Sequence, residues 1–226
     1  DQGASSFRAE MKVGPALLSQ VPEVLQFLPS DLKLTGQMTG EMKIERDPQG
    51  AWPMEGRIEV MQGKIGNYDF ERFGFEFKGT QNRLSPKLSI KRGTSQYELS
   101  GTIESPSGFL ANDSLLSLNG PIRNEKWVNL LSLFKVYTVG HRVSGQVDGN
   151  LSIGGTLAAP SLGFELKSRD LVIDAFSSPK ASLKVTMANG KVNFGESQVD
   201  LEKGNVKITS GQLWLDPQDS SLVRLD

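Results

Sequence analysis

The residue types that could do chemistry are few in this sequence and do not stand together. The 226 residues include one histidine, His141, and no cysteine, which excludes thiolate metal sites, cysteine nucleophiles and disulfides and leaves little for a histidine triad. Gly63-Lys64 and Gly154-Gly155 lack the other positions of a phosphate-binding loop. Asn112-Asp113-Ser114 has the form of a glycosylation site, but we favour a plain loop there. We predict that the chain is not an enzyme and uses no metal or cofactor.

The charge pattern also argues against a nucleic-acid partner. The 25 basic and 26 acidic residues nearly cancel, and no basic stripe stands out. Asp and Glu fall almost entirely on the polar faces of predicted strands, where a solvated position is the expected one. No apolar run approaches the roughly 20 residues that cross a bilayer, and no signal peptide is recognisable. We expect the chain to be a piece of a longer protein, with any membrane anchor outside it.

The longest regular pattern is an alternation between Leu32 and Glu45. Apolar residues or glycine occupy one side of it and polar residues the other, which predicts a long strand with one apolar and one wet face. Gly36 and Gly40 remove side chains from the apolar side. We therefore expect a kink or bulge there, where the sheet curves.

The same pattern returns 109 residues later, because Leu34 to Ile44 matches Val143 to Ile153 with glycine on glycine. Apolar residues at helical spacing precede both copies and predict short amphipathic helices over about 15–28 and about 124–136, the second capped by Asn124. Gly14-Pro15 before the first helix is matched with Gly120-Pro121 before the second. We predict two tandem β-rich units, residues 1–110 and 111–226, that share one continuous sheet.

Shorter alternating runs fill the rest of each unit, and hairpin-length connections separate them. Two such connections are Gln81-Asn82-Arg83 and Lys91-Arg92-Gly93. The chain closes with a strand over Leu222 to Leu225, which we expect to lie at an edge of the sheet. A repeat pattern without a cap at either end predicts further units in the parent protein.

The apolar sides of the strands are the remaining candidate site. Aliphatic, Phe and Met side chains with few polar groups among them suit hydrocarbon chains better than a specific polar ligand, which needs convergent donors. The candidate side chains are Leu34, Met38, Met42, Ile44, Phe73, Phe75, Phe77, Leu99, Ile103, Val143, Val147, Leu151, Ile153, Leu183, Val185, Val206 and Ile208.

Two architectures are compatible with strands that have one apolar face. Two sheets could close on each other as a sandwich, which is the commonest fate of alternating strands. Alternatively, one long sheet bends into a U, taco-like, with an apolar inner face that lines a groove, and the repetition favours this second form. A closed, lipocalin-like barrel explains two long units less well.

The second unit carries a pattern that resembles a known family. Gly155-Thr156-Leu157-Ala158-Ala159-Pro160 links two strands, and Ser210-Gly211-Gln212-Leu213 with the Asp216-Pro217-Gln218 turn closes the unit. This pattern resembles the TamB and AsmA-like proteins of the bacterial envelope. The first unit departs from it, with Ala51-Trp52-Pro53 in place of Leu157 to Pro160.

The resemblance implies a long periplasmic β-groove in a protein tethered to the inner membrane. It implies that phospholipid acyl chains lie along the apolar face as lipid moves between the inner and outer membranes. The alternative that it implies is a β-scaffold that assists outer-membrane protein assembly or secretion through strand pairing with a barrel partner. The helices would then cover the mouth of the groove or a sheet edge, or simply pack against the sheet.

Overall fold

The computed structural model describes residues 7–20, 34–47, 50–133, 142–215 and 223–225, and strands make up most of them. Two short helical segments accompany the strands: a 3₁₀ turn, Leu18–Gln20, and one α-helix, α1, Trp127–Leu133. The strands are β1 Phe7–Leu17, β2 Leu34–Arg46, β3 Met54–Ile65, β4 Tyr68–Thr80, β5 Arg83–Arg92, β6 Ser95–Glu104, β7 Leu115–Lys126, β8 Val143–Gly155, β9 Pro160–Ile173, β10 Phe176–Ala188, β11 Lys191–Phe194, β12 Ser197–Leu201, β13 Gly204–Ile208, β14 Gly211–Leu215 and β15 Val223–Leu225.

All of these strands belong to one antiparallel sheet of 15 strands. From β1 to β11 each strand pairs with the next one along the chain, so the sheet is a long meander. At its far end β10 pairs with both β11 and β12, and these continue to β14 and β13 respectively. The Gly195 N–H donates to the Lys184 carbonyl at 2.8 Å, which holds the bulge between β11 and β12 against β10.

Bulges curve the sheet near the ends of several strands. The register shifts between Thr35 and Gln37 in β2 and between Ser144 and Gln146 in β8. The skipped residues are glycines with left-handed φ, +136° at Gly36 and +119° at Gly145. The prediction of a kink is confirmed at Gly36, whereas Gly40 pairs in regular register with Ile58.

The predicted hairpin connections are confirmed. Gln81 and Asn82 alone separate β4 from β5, and Gly93 and Thr94 alone separate β5 from β6. Gly93 has a φ of +55°, which glycine adopts without steric cost.

The prediction of a helix over 15–28 is wrong at its start, because β1 continues to Leu17 and only Leu18–Gln20 is helical, as a 3₁₀ turn. The strand passes Gly14-Pro15 by a bulge, between Val13 and Ala16, and a bulge is one of the places where a strand accepts proline. Residues 21–33 lie outside the described part of the chain.

The helix predicted over 124–136 begins three residues late. Asn124 does not cap it: it has a φ of +53° within β7, and α1 starts at Trp127. The match of Gly14-Pro15 with Gly120-Pro121 is also wrong, since Gly120 and Pro121 lie in the regular part of β7 and the bulge falls between Ile122 and Glu125. Residues 134–141, including His141, lie outside the described residues.

The core lies against one face of this sheet. One cluster extends from Leu18 and Met38 through the middle strands to Leu166 and Ala181. A smaller cluster of Met54, Leu84 and Ile103 lies at the opposite ends of the strands. The single sheet replaces the sandwich alternative, because no second sheet covers this face among the residues described.

Candidate functional site

The face of the sheet that carries both apolar clusters is the candidate site, and we call it the cluster face. Register pairs place its side chains in rows that cross the strands. One row joins Met38 to Val60, Val60 to Phe73 and Phe73 to Ile90. Because alternate residues of a strand point to the same side, the remaining members follow from the pairing.

The predicted site residues differ in burial. Met38, Leu99, Ile103, Val147 and Leu151 are buried. Val206 is 48% exposed and lies beside Val199 at the far end of the sheet. The half-buried ones are Leu34, Met42, Ile44, Phe73, Phe75, Phe77, Val143, Ile153, Leu183, Val185 and Ile208.

The structure brings most of these residues into the two clusters. The larger cluster takes in Met38, Leu99, Val147 and Leu151, with partly buried neighbours such as Leu183. Ile103 belongs to the smaller cluster, against which Ile44 and Phe77 pack. Phe75 lies between the two clusters, with its ring centroid 5.8 Å from that of Phe77.

A second row of the cluster face is half-buried over most of its length, and we call it the apolar row. It comprises Met11, Met42, Gly56, Phe77, Pro86, Gly101, Leu118, Ile153, Leu162 and Met187. The row crosses ten strands, so at about 4.8 Å per strand it is roughly 43 Å long. No charged side chain interrupts it. The Phe77 ring lies over Gly56, where a Cβ would approach the ring to 2.6 Å.

At one end of the strands α1 lies on the cluster face and contacts β4, β7 and β8. Its Trp127 and Leu130 are buried in the larger cluster, and Leu131 packs against it. The Trp127 Nε1–H donates to Ser168 Oγ at 2.6 Å. The helix therefore covers the part of the face where Tyr68, Tyr97 and Val147 are almost completely buried.

A buried carboxylate lies where β7 meets α1. Glu125 is 0% exposed. Its Oε2 accepts hydrogen bonds from the Tyr68 hydroxyl at 2.7 Å and the Tyr97 hydroxyl at 2.8 Å. Its Oε1 accepts from Lys126 N at 2.7 Å, Asn129 Nδ2 at 2.9 Å and Ser95 Oγ at 3.2 Å. We call these groups the Glu125 network.

The network binds strands that are not neighbours. Tyr68 is on β4 and Glu125 is on β7, and in a flat sheet three strand spacings would separate their backbones by about 14 Å. Their side chains nevertheless meet at hydrogen-bonding distance, which indicates that the sheet curves around this point. The Tyr68 and Tyr97 rings also contact edge to face, with centroids 6.0 Å apart.

Both tyrosine hydroxyls hold their protons strongly. Burial, and next to it the Glu125 carboxylate, raises the pKa of Tyr68 well above its usual range. The same causes raise the pKa of Tyr97 further. Both phenols therefore stay neutral donors at any physiological pH.

The sequence alone does not predict this network. The alternation marks Tyr68 and Tyr97 as strand residues, but a glutamate in the sequence is expected at the surface. The single available signal was the aromatic and charged composition at the point where the helix begins.

The opposite face of the sheet is charged and solvated. Ion pairs link neighbouring strands across it, among them Arg57 with Glu76 at 3.5 Å, Asp148 with Arg169 at 2.8 Å and Glu165 with Lys184 at 2.9 Å. These exposed pairs form a charged surface that contributes little to stability. In residues 7–215, as far as they are described, no three Asp, Glu or His side chains form a group that could hold a metal ion.

Part of the chain is similar in sequence to a known protein. The chain is similar to TamB. It is 28% identical over 127 residues to the translocation and assembly module subunit TamB of Haemophilus influenzae, and the match covers 54% of this chain and 8% of that protein. No family model matches the sequence, and no solved structure matches it.

The similarity to TamB therefore concerns a short part of a much longer protein. The β-rich fold agrees with the expectation that the resemblance raised, although the match is partial and distant. Among the helices that the structure describes, none has the length and apolar character needed to cross a membrane.

Proposed function

We propose that this chain is a segment of a bridge-like periplasmic protein, anchored in the inner membrane outside this segment, whose cluster face carries phospholipid between the inner and outer membranes. The role is binding and guidance without a catalytic step. The apolar row carries the proposal, because it offers a half-buried hydrocarbon surface that crosses ten strands without a charge. The similarity to TamB supports a place in outer-membrane biogenesis.

The energetics suit such a path. Half-buried side chains such as Met42, Ile153 and Met187 lose contact with water when an acyl chain lies on them. Each Å² of apolar surface that becomes covered contributes about 25 cal/mol. Because every position of the row is uncharged, an acyl chain that slides by one strand separates no ion pair and exposes no charged group to hydrocarbon, so movement along the row meets small barriers.

The path fits an array of similar units, and we propose that residues 1–110 and 111–226 are two of them. Three observations support the proposal: β2 and β8 each span 13 residues, each carries a left-handed glycine opposite a bulge of the next strand, and each follows a bulged strand. Units joined through one sheet would give the apolar row a continuation on both sides.

The test is native mass spectrometry with lipid extraction on the chain purified without detergent. We expect bound phospholipid in the wild type and its loss in Ile153→Asp, which places a charge in the apolar row. Ser152→Asp is the matched control, because Ser152 is the exposed neighbour on the opposite face of β8. Retention of lipid by Ile153→Asp, or a wild type that is free of lipid, contradicts the proposal, provided that each variant unfolds cooperatively.

A second function is favoured by the free edge of the sheet. Among the described strands β1 pairs only with β2, and its Phe7, Met11 and Leu17 are 53%, 52% and 55% exposed. Such an edge can template a partner strand, so we propose, as the alternative, a scaffold that assists the assembly of an outer-membrane barrel protein by strand pairing.

Proline scanning separates the two functions. Adjacent strand residues direct their N–H groups to opposite edges, so one of Ala9→Pro and Glu10→Pro removes a free-edge donor while the other disrupts the pairing with β2. Under the alternative, the proline that leaves the unfolding transition intact abolishes partner binding. Under the lipid-path proposal, the same variant keeps its bound phospholipid.

A further inference from the structure

The Glu125 network stands out because it places a charge against the apolar cluster face. Every buried polar side-chain atom that the structure describes has a hydrogen-bond partner, and Glu125 accepts five hydrogen bonds. A buried carboxylate that loses such partners is costly to keep away from water. The network therefore holds its members in one arrangement.

The hydrogen-bond partners of Glu125 show which elements the network connects. Two bonds come from β4 and β6, through Tyr68 and Tyr97, one comes from Lys126 N at the end of β7, and one comes from the first turn of α1, through Asn129 Nδ2. The carboxylate thus joins the first turn of α1 to strands on the other side of the larger cluster. Trp127 reinforces the same turn by its bond to Ser168 on β9.

Hydrocarbon chains cannot replace these contacts. An acyl chain competes well with an apolar side chain, because it offers the same kind of contact. It offers no donor for a carboxylate, so an acyl chain that displaced α1 would take the Asn129 donor from Glu125, separate Trp127 from Ser168 and place hydrocarbon beside the carboxylate.

We infer that Glu125 is a positioning residue that fixes α1 as a permanent wall, so that acyl chains are confined to the apolar row and do not enter the surface under the helix. This inference rests on the proposed lipid path. It adds that the width of the path in this half of the sheet is set by a polar network, with Glu125 at its centre.

The apolar surface that α1 covers is large. Tyr68, Tyr97, Ile122 and Val147 are at most 1% exposed where α1 covers them, whereas Ile153 and Leu162 of the apolar row are half-buried. Removal of α1 would extend the hydrocarbon surface toward the ends of β4, β6 and β9. The chain would then bind more lipid, or lipid of larger cross-section.

Double electron–electron resonance tests the inference directly. The chain contains no cysteine, so two introduced cysteines carry the only spin labels. Val128→Cys places one label on an exposed position of α1, and Lys87→Cys places the other on the exposed face of β5. The distance is measured with and without lysophosphatidylcholine below its micellar concentration, and bound lipid is counted by native mass spectrometry.

We expect one narrow distance in the chain with Glu125, unchanged by the lipid. In Glu125→Leu we expect a second, displaced population that rises to about half of the molecules when lipid is added, together with more lipid bound per chain. Glu125→Gln keeps an acceptor for both phenols and should restore most of the narrow distance.

Movement of α1 upon lipid addition in the chain with Glu125 would overturn the inference, as would an unmoved helix in Glu125→Leu. If Glu125→Leu does not fold, Asn129→Leu removes the bond between Glu125 and α1 and is judged by the same distances. Failure of the lipid-path proposal gives a different result, because neither the chain with Glu125 nor the Glu125→Leu variant then binds lipid. The distances measured without lipid still report whether Glu125 holds α1.

Discussion

Two connections in this sheet, 109 residues apart in the sequence, follow the same backbone plan and differ in what secures them. After a bulge in β1 the chain turns at Leu18, which is 1% exposed, and after a bulge in β7 it turns at Trp127, which is 7% exposed. Both side chains enter the larger cluster. Both connections therefore have a bulged strand followed by a buried first residue.

The difference lies two residues earlier. Ala16 is the first paired residue after the bulge of β1, whereas Glu125 occupies the corresponding place in β7. The start of the first connection packs into the cluster through Leu18, and the start of the second adds a network of five hydrogen bonds to the packing of Trp127. The two connections therefore separate the contribution of packing, which both share, from that of the polar network.

The largest expected effect comes from emptying the two buried positions. Leu18→Ala should destabilise the chain by about 3 kcal/mol and Trp127→Ala by about 4 kcal/mol, because each leaves a cavity in the same cluster. Urea unfolding of both variants measures these losses. Trp127→Phe, which keeps most of the packing and removes the bond to Ser168, should cost about 1.5 kcal/mol. Equal losses for Trp127→Phe and Trp127→Ala would show that packing does not hold the second connection.

The bulge glycines provide a second, smaller test. An alanine Cβ at Gly145 would lie 2.7 Å from the Asp170 carbonyl oxygen, whereas at Gly36 it would lie 2.6 Å from a Val60 methyl group that can move. Both positions have left-handed φ, so we expect losses of about 3 kcal/mol for Gly145→Ala and about 2 kcal/mol for Gly36→Ala. Gly14→Ala is the control, because no atom lies within 4 Å of its Cβ position, and it should change stability by less than about 0.5 kcal/mol. The reverse order at Gly36 and Gly145 would show that the two bulges are not alike.

The effect that is smallest at neutral pH should appear only in alkali and concern the second connection. The pKa values of Tyr68 and Tyr97 are raised on folding, so the folded chain keeps protons that the unfolded chain releases near pH 10. Their contribution is fully present below that pH and is lost as the pH rises toward the folded values. Each tyrosine should therefore lower the unfolding free energy by about 1.4 kcal/mol per pH unit above pH 10.

Urea midpoints at several pH values measure this slope. The Tyr68→Phe and Tyr97→Phe double variant should reduce it, and Leu18→Ala should leave it unchanged. A decline as steep in the double variant as in the wild type would assign the alkaline loss to other groups.

Much of the fold could be predicted from the sequence because its strands are half-buried. Alternation over Leu34 to Ile44 gives both the strand and its buried side, and two-residue turns such as Gln81-Asn82 mark the hairpins. The helical spacing around Leu17 and Leu18 predicted a helix where the strand continues. A bulge shifts the alternation by one residue, so a bulged strand can also place residues at such spacing on one face.

The candidate site was predictable to the same degree. Met38, Leu151 and their neighbours lie on the cluster face because the apolar residues of an alternating strand all point to the same side of the sheet. Val206 fits the alternation as well, yet it is exposed, since burial at the end of a sheet depends on what covers it. The Glu125 network could not be predicted from the sequence, because the curvature of the sheet brings together residues from strands that are far apart in the sequence.

The meander has a consequence for how the chain acquires its structure. From β1 to β11 each strand pairs with the one before it, so no pairing in this part of the sheet waits for residues far downstream. A chain that emerges gradually from a ribosome or a narrow export pore finds the template for each new strand already in place. The growing sheet always ends in one unpaired edge, and the moment of greatest risk of misassociation moves along the chain with that edge until the last strand arrives.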